Sequence, residues 1–178
     1  SLRKAGAYSK KHARPNTRVS KKKGKAYIKT VPPSKVVKFN IGNQGKYAKH
    51  EFDSVIKIIT TENIQIRDSA LEAARQYITR RLDEELPNSY YFEVRVHPHH
   101  ILRENKMLTG AGADRMSSGM KHSFGRMAGR AAMVKAGKDI FLITASGQKG
   151  VNTARSTLKA IKAKLPCRTV IVVEKAQQ

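Results

Sequence analysis

Three histidines in four residues, the run His97-Pro98-His99-His100, are the side chains whose type and spacing most suggest chemistry. Imidazoles bind zinc, but a zinc site needs three or four ligands, usually from more than one segment. The nearest acids, Glu93 and Glu104, show no diagnostic spacing, and no cysteine or carboxylate cluster lies nearby. The run therefore predicts a polar strand end, and no metal site is expected.

The small-residue run 110–115, Gly-Ala-Gly-Ala-Asp-Arg, superficially resembles a dinucleotide-binding loop. Arg115 stands where the third glycine belongs, and no acid follows about 20 residues later to hold a ribose. A Gly-Lys-Ser/Thr sequence is also missing, which excludes a P-loop. Glycine and alanine between the basic residues Arg103, Lys106 and Arg115 would instead allow close approach to a narrow RNA cleft. A surface loop without a ligand is the alternative.

No other constellation indicates catalysis. Nothing resembles a nucleophile elbow or a catalytic triad, and Cys167 beside Pro166 is typical of a small buried thiol. A single cysteine cannot form an intrachain disulfide, which fits a reducing cytosol. Asp83, Glu84 and Glu85 form one cluster at a helix end, which we interpret as a solvated face. We therefore predict no enzymatic activity and no cofactor.

The charge balance indicates a polyanionic partner. The chain of 178 residues holds 36 Lys and Arg against 13 Asp and Glu, a formal net charge of +23. An excess of this size repels itself in the compact state unless a partner of opposite sign offsets it. Nucleic acid, an anionic membrane and an acidic protein are the candidates. Membrane is disfavoured because no apolar run reaches the roughly 18 residues that a span requires.

Basic residues dominate the first part of the chain, where Asp and Glu are missing until Glu51. We predict an extended basic RNA-binding segment at residues 1–34, followed by a folded domain at 35–178. A solvated tail that aids solubility is the alternative. The cations predicted to contact RNA phosphates are Arg3, Lys4, Lys10, Lys11, Arg14, Arg18, Lys21, Lys22, Lys23 and Lys25.

A second basic cluster lies between residues 103 and 138, mixed with glycine and hydroxyl residues. These groups supply contacts to phosphates and to 2′-hydroxyls. The chain has no Trp, and its aromatic residues form no base-stacking pair. The pattern favours recognition of the shape and backbone of folded RNA. Its basic members are Arg103, Lys106, Arg115, Lys121, Arg126, Arg130, Lys135 and Lys138.

Short strands and two amphipathic helices must position these residues. Val36, Val37 and Phe39 predict a short strand that ends at the Gly42/Gly45 turn. Other apolar or alternating runs predict strands at 52–59, 91–97, 133–134, 140–144 and 170–173. A capping box of Ser69 and Glu72 predicts the start of a helix that ends before Pro87. A second helix ends at Pro166, a short one is expected after Asp114, and a long loop spans about 101–114. We predict an α+β fold: a two-layer sandwich of mixed or antiparallel sheet with two main helices on one face.

A long central run resembles the signature of a ribosomal protein family. The run reads Arg95-Val-His-Pro-His-His-Ile-Leu-Arg-Glu-Asn-Lys-Met-Leu-Thr-Gly-Ala-Gly-Ala-Asp-Arg115 and continues through Gly119-Met120 and Phe124-Gly125. Ser69-Ala-Leu-Glu-Ala-Ala-Arg75 and Lys164-Leu-Pro-Cys-Arg168 match as well. The chain is similar, over about residues 30–174, to the universal L-sixteen family of large-subunit ribosomal proteins. The residues of the central run resemble those of the archaeal L-ten-e branch of this family.

The resemblance implies a structural role in translation, in the large ribosomal subunit of the cytoplasm. Family members bind large-subunit ribosomal RNA near the elbow of A-site tRNA. The loop at about 101–114 would reach toward the peptidyl transferase centre and P-site tRNA, and neighbouring subunit proteins would be further partners. No membrane contact or homo-oligomer is expected.

The resemblance also assigns two sets of site residues. The N-terminal cations named above, with Lys121, Arg126 and Arg130, would hold the protein to ribosomal RNA. The loop on the tRNA side would comprise Arg103, Asn105, Lys106, Met107, Gly110, Gly112 and Arg115.

Two other hypotheses stay open at this point. An RNA-binding assembly factor would share the charge pattern but leave the mature particle. An enzyme acting on RNA would use His97, His99 or His100 as acid or base.

Overall fold

Two antiparallel sheets and a layer of helices make up the fold in a computed structural model of the chain, which confirms the predicted α+β class. The structure describes residues 6–10, 15, 17, 28, 30–104, 110–112 and 125–176. In chain order the elements are β1 (Asn40–Gly42), α1 (Gln44–Ala48), β2 (Ser54–Thr60), β3 (Ile64–Arg67), α2 (Asp68–Glu85), β4 (Tyr90–Val94), β5 (His100–Glu104), β6 (Arg126–Val134), β7 (Asp139–Ala145), α3 (Gly147–Ile161), a 3-10 turn (Lys162–Lys164) and β8 (Thr169–Lys175).

The larger sheet has the order β1-β4-β7-β2-β8, and the smaller has the order β3-β6-β5. Each recorded strand pair is antiparallel. Strands β6 and β7 follow each other in sequence but belong to different sheets. The Gly137 turn between them is held by the end of β2, because the Gly137 N–H donates to Thr60 O across 2.8 Å. This turn therefore joins the two sheets.

The main core lies between the helices and the two sheets, and it includes residues of β3 and β6 as well as of the larger sheet. Leu71, Ile78 and Leu82 of α2 are fully buried, as are Leu158 and Ile161 of α3. Burial of each such side chain contributes about 1.5–3 kcal/mol. The apolar spacing that predicted both helices is thus confirmed as the face that packs on the sheet.

The reverse face of the larger sheet carries a second, smaller apolar cluster. Phe52, Tyr91 and Leu142 are buried there, and Tyr47 of α1 stacks on Tyr91 with ring centroids 4.0 Å apart. The predicted alternation of Tyr91 and Phe92 is confirmed. The expectation of a half-buried strand is wrong, because α1 covers the second face as well.

Three local predictions need correction. The strand predicted from Val36 to the Gly42/Gly45 turn ends where expected but begins later: β1 covers Asn40–Gly42, and Val36 enters the core from an extended segment. Ser69 does not cap α2, because it lies within the helix and its own N–H is bound by Asp68 Oδ1 at 2.8 Å. Residues 101–104 belong to β5 rather than to a loop, because they pair with β6. The helix predicted after Asp114 lies outside the described residues.

Within the described ranges, none of the helices combines the length and apolarity that crossing a membrane requires.

Candidate nucleic-acid interface

The segment 30–37 is held to the folded body by three separate hydrogen bonds. The Lys35 N–H donates to Asp68 Oδ2 at 3.2 Å, and Arg130 Nε donates to the Pro32 oxygen at 2.6 Å. The Val37 N–H donates to the Glu72 carboxylate, which contributes to lowering the pKa of Glu72 after the larger effect of Arg75. Residues 32–37 therefore dock onto α2 and β6, whereas Phe39 O accepts from the Val94 N–H at 2.8 Å and extends the pairing of β1 with β4.

Earlier parts of the basic segment also contact the body where the structure describes them. The Gln65 N–H of β3 donates to Ser9 O at 3.0 Å, and the Gln65 side-chain amide donates to Tyr8 O. Ile28 is fully buried. The exposed Lys10 thus lies one residue beyond an anchored point. The division of the chain at 34 and 35 stays a prediction.

Three predicted RNA-binding or loop-flanking arginines lie on the smaller sheet. Arg126 opens β6 and is exposed, opposite Glu104 of β5 in the register. Arg130 lies on the same face of β6 as the buried Ala132, and its hydrogen bond to Pro32 uses part of its guanidinium. Arg103 is half-buried, and its Nη1 has no hydrogen-bond partner among the described residues. Arg126 is the most accessible of the three.

Two glycines of the predicted loop lie in described backbone. Gly110 and Gly112 are exposed and have φ of +137° and +80°. L-residues with side chains rarely adopt these angles, so both positions favour glycine. Within the described structure no atom lies within 4 Å of where a Cβ would be placed at either residue. At these two positions the backbone conformation, rather than contact with the described residues, is what favours glycine.

The histidine run is divided between different environments. The ring of His97 stacks on Phe39 at 5.5 Å, and His99 Nδ1 lies 3.0 Å from His97 O. His100 is buried in β5. The described residues contain no group of three or more His, Cys, Asp or Glu that could hold a metal.

Many acids of the body are already paired with its own cations. Arg75 forms a bidentate bond to Glu72, and Arg80 and Arg81 pair with Glu84 and Glu85 one helical turn later. Across the sheet, Lys57 Nζ lies 2.6 Å from Glu174 Oε2. These acids neutralise cations of the protein itself. The cations that make no ion pair in the described structure are therefore the ones available to bind a partner.

The structure adds a basic row that sequence reasoning missed. Arg155, Lys159 and Lys162 are exposed along α3 and its 3-10 extension, beside β8. Their spacing of four and then three residues places them on one helix face. That spacing is visible in the sequence, but the three residues lie outside both the acid-free N-terminal segment and the basic cluster at 103–138.

Many of the predicted contact residues lie outside the described residues. They are Arg3, Lys4, Lys11, Arg14, Arg18, Lys21, Lys22, Lys23, Lys25, Asn105, Lys106, Met107, Arg115 and Lys121.

Comparison with known proteins agrees with the resemblance seen in the sequence. The family model described as ribosomal protein L16p/L10e matches residues 14–172. A protein of Thermofilum pendens named large ribosomal subunit protein uL16 is 43% identical over 152 residues, covering 85% of this chain and 88% of its own length. The protein of the same name from Methanococcus maripaludis strain C7 is 41% identical over 180 residues, covering 99% and 96%.

A third protein of that name, from Archaeoglobus fulgidus, is 39% identical over 156 residues and covers 85% of both chains. The similarity extends over most of the chain in each case. The chain therefore belongs to the ribosomal protein L16p/L10e family.

Proposed function

We propose that this chain is a structural protein of the large ribosomal subunit that binds ribosomal RNA near the elbow of A-site tRNA. The loop at about 101–114 reaches toward the peptidyl transferase centre and P-site tRNA. Family membership makes the chain a ribosomal protein and not an enzyme, so it supports translation without catalysing it. It works in the cytoplasm, beside other proteins of the subunit.

The observation that carries the proposal is the family match across residues 14–172, which includes the loop and its flanking strands. The geometry of the smaller sheet supports it. Strands β5 and β6 flank the segment between residues 104 and 126, with the exposed Arg126 at the start of β6. A cation at this place can contact phosphate while glycines at 110 and 112 allow close approach.

Sedimentation tests the proposal against an assembly-factor role. Cells would carry one tagged copy of the chain as their only copy, and extracts would be separated on a density gradient. The proposal expects the tagged chain in mature large subunits and in translating ribosomes. A chain that stays in immature particles or at the top of the gradient, while mature subunits lack it, contradicts the proposal.

The N-terminal cations can be tested by the salt dependence of RNA binding. Replacing Lys21, Lys22 and Lys23 with Gln removes three charges without removing Ile28, which is buried. Each lost phosphate contact lowers the slope of log affinity against log salt by about 0.7–0.9. We expect a slope lower by about 2–3 units, measured with large-subunit ribosomal RNA transcribed in vitro. An unchanged slope would mean that these lysines do not contact the RNA.

A further inference from the structure

A groove of about 600 Å³ runs between α3 and the outer side of β8. Strand β8 is the last strand of the larger sheet, and among the described residues it pairs only through its inner side, with β2. Residues of the helix form one wall and residues of the strand form the other. The lining residues are Asn152, Arg155, Ser156, Lys159, Lys162, Thr169, Val170 and Ile171.

The positive charge of this groove is not offset by the protein itself. In the described part of the chain, Arg155, Lys159 and Lys162 make no ion pair, and all three are exposed. Glu174, the nearest acid in sequence, binds Lys57, and Glu62 lies 3.7 Å from Arg168. A row of free cations in a concave surface focuses positive potential and attracts an anion.

The shape of the row fits a polyanion better than a single ion. Seven residues separate Arg155 from Lys162, which corresponds to about 10 Å along a helix. That length faces two or three successive phosphates of a nucleic-acid strand. Asn152 and Ser156, both exposed, bring an amide and a hydroxyl group to the same groove. Such groups bind phosphate and sugar oxygens.

We infer that this groove is a second RNA-binding surface, in which a phosphodiester backbone lies along Arg155, Lys159 and Lys162. The inference rests on the proposed function, because it names a further surface for the same RNA. The surface belongs to the larger sheet, whereas Arg126 and the loop strands β5 and β6 belong to the smaller one. The protein would then bind RNA through two separate surfaces, each in contact with a different RNA segment.

A matched pair of triple variants tests the groove. The groove variant carries Arg155→Gln, Lys159→Gln and Lys162→Gln. The control variant carries Lys38→Gln, Lys46→Gln and Lys49→Gln, three exposed cations beside β1 at the opposite edge of the larger sheet. Both variants lose three charges, so general electrostatic effects are equal.

Binding of each full-length protein to large-subunit ribosomal RNA transcribed in vitro is measured over a range of salt. The groove variant should lose about 2–3 units of salt slope, while the control loses less than one. Equal slopes in the two variants overturn the inference but leave the proposed function intact. A wild-type protein that does not bind this RNA contradicts both.

Acetylation of the wild-type protein gives a second measurement that needs no variant to fold. We expect Lys159 and Lys162 to become several-fold less reactive toward an acetylating reagent when RNA is bound, relative to Lys46 and Lys49. Equal reactivity with and without RNA overturns the inference. Protection of Lys159 and Lys162 by poly-glutamate but not by RNA also overturns it, and would assign the groove to an acidic protein segment.

Discussion

Arg130 Nε donates a hydrogen bond to the main-chain oxygen of Pro32, 2.6 Å away, and so ties β6 to a segment 98 residues earlier in the chain. The basic pattern alone predicted Arg130 as an RNA contact. The structure shows that its side chain also binds the protein itself. The same bond makes Arg130 differ from its exposed neighbour Arg126.

Replacing Arg130 and Arg126 one at a time should show which of the two side chains stabilises the fold. Arg130→Gln removes a charged hydrogen bond, so the free energy of unfolding should fall by about 1–2 kcal/mol. Arg126→Gln removes the same charge from an exposed site, so stability should change by less than about 0.5 kcal/mol. Urea unfolding measures both. Equal stability of the two variants would show that the bond to Pro32 contributes nothing.

Asp68 attaches segment 30–37 to the start of α2. Its Oδ2 accepts from Lys35 N and its Oδ1 from Ser69 N at the start of α2. Asp68→Ala removes the acid from the first turn of α2 and leaves a part-buried N–H unpaired, so we expect a loss of about 2 kcal/mol. Glu51→Ala, at an exposed acid, is the control for the lost charge. A similar change in urea midpoint for both variants would contradict the role of Asp68.

Gly42 is required by the turn from β1 into α1. Its φ is +92°, and a Cβ there would lie 2.5 Å from Tyr90 O. Gly42→Ala should therefore destabilise the fold by about 2 kcal/mol or more. Gly45→Ala is the control, because Gly45 is helical and its nearest contact would be an ordinary 3.5 Å. Thermal unfolding compares the two, and equal melting temperatures would argue against strain at Gly42.

Tyr90 should make the fold sensitive to alkaline pH. Burial, with the hydrogen bond to Asp83, raises the pKa of its phenol. Above the unfolded value of about 10, the unfolded chain loses the phenol proton while the folded chain keeps it, so stability falls as pH rises. Below that pH, both states hold the proton and no such loss occurs.

The free energy of unfolding is measured in urea at about pH 8 and at about pH 11, which lie below and above the phenol pKa of the unfolded chain. Tyr90→Phe should lower stability at the lower pH by about 1 kcal/mol, through loss of the Asp83 bond, but should weaken the alkaline decline. Tyr77→Phe is the control, because that hydroxyl has no hydrogen-bond partner in the described structure. An alkaline decline of the same size in Tyr90→Phe and wild type would contradict the prediction.

The loop glycines should matter for translation more than for assembly. Gly110→Val with Gly112→Val introduces two strained residues into the loop proposed to approach tRNA. We expect normal amounts of large subunits on a gradient but several-fold slower protein synthesis by them. Gly137→Val is the control, since Gly137 has φ +82° and open space in the described structure but lies in the β6–β7 turn. Failed assembly with normal synthesis would contradict the proposed tRNA-side role.

The sequence by itself determined the polyanionic partner, the two main helices and the family. Net charge and an acid-free segment depend only on composition. Helices such as α2 follow from local periodicity, because Leu71, Ile78 and Leu82 share one face whatever surrounds them. The long central run identifies the family because its order of residues is specific.

Only the tertiary structure decided how the backbone and cations far apart in sequence are used. Val36 and Val37 have the composition of a strand, but the N–H groups around them are bound by Asp68 and Glu72, whose positions depend on where α2 packs. The sequence alone does not distinguish the positive charge of Arg130 from that of Arg155. One is turned toward Pro32 and the other lines a groove with β8, because long-range packing determines which anions a cation can reach.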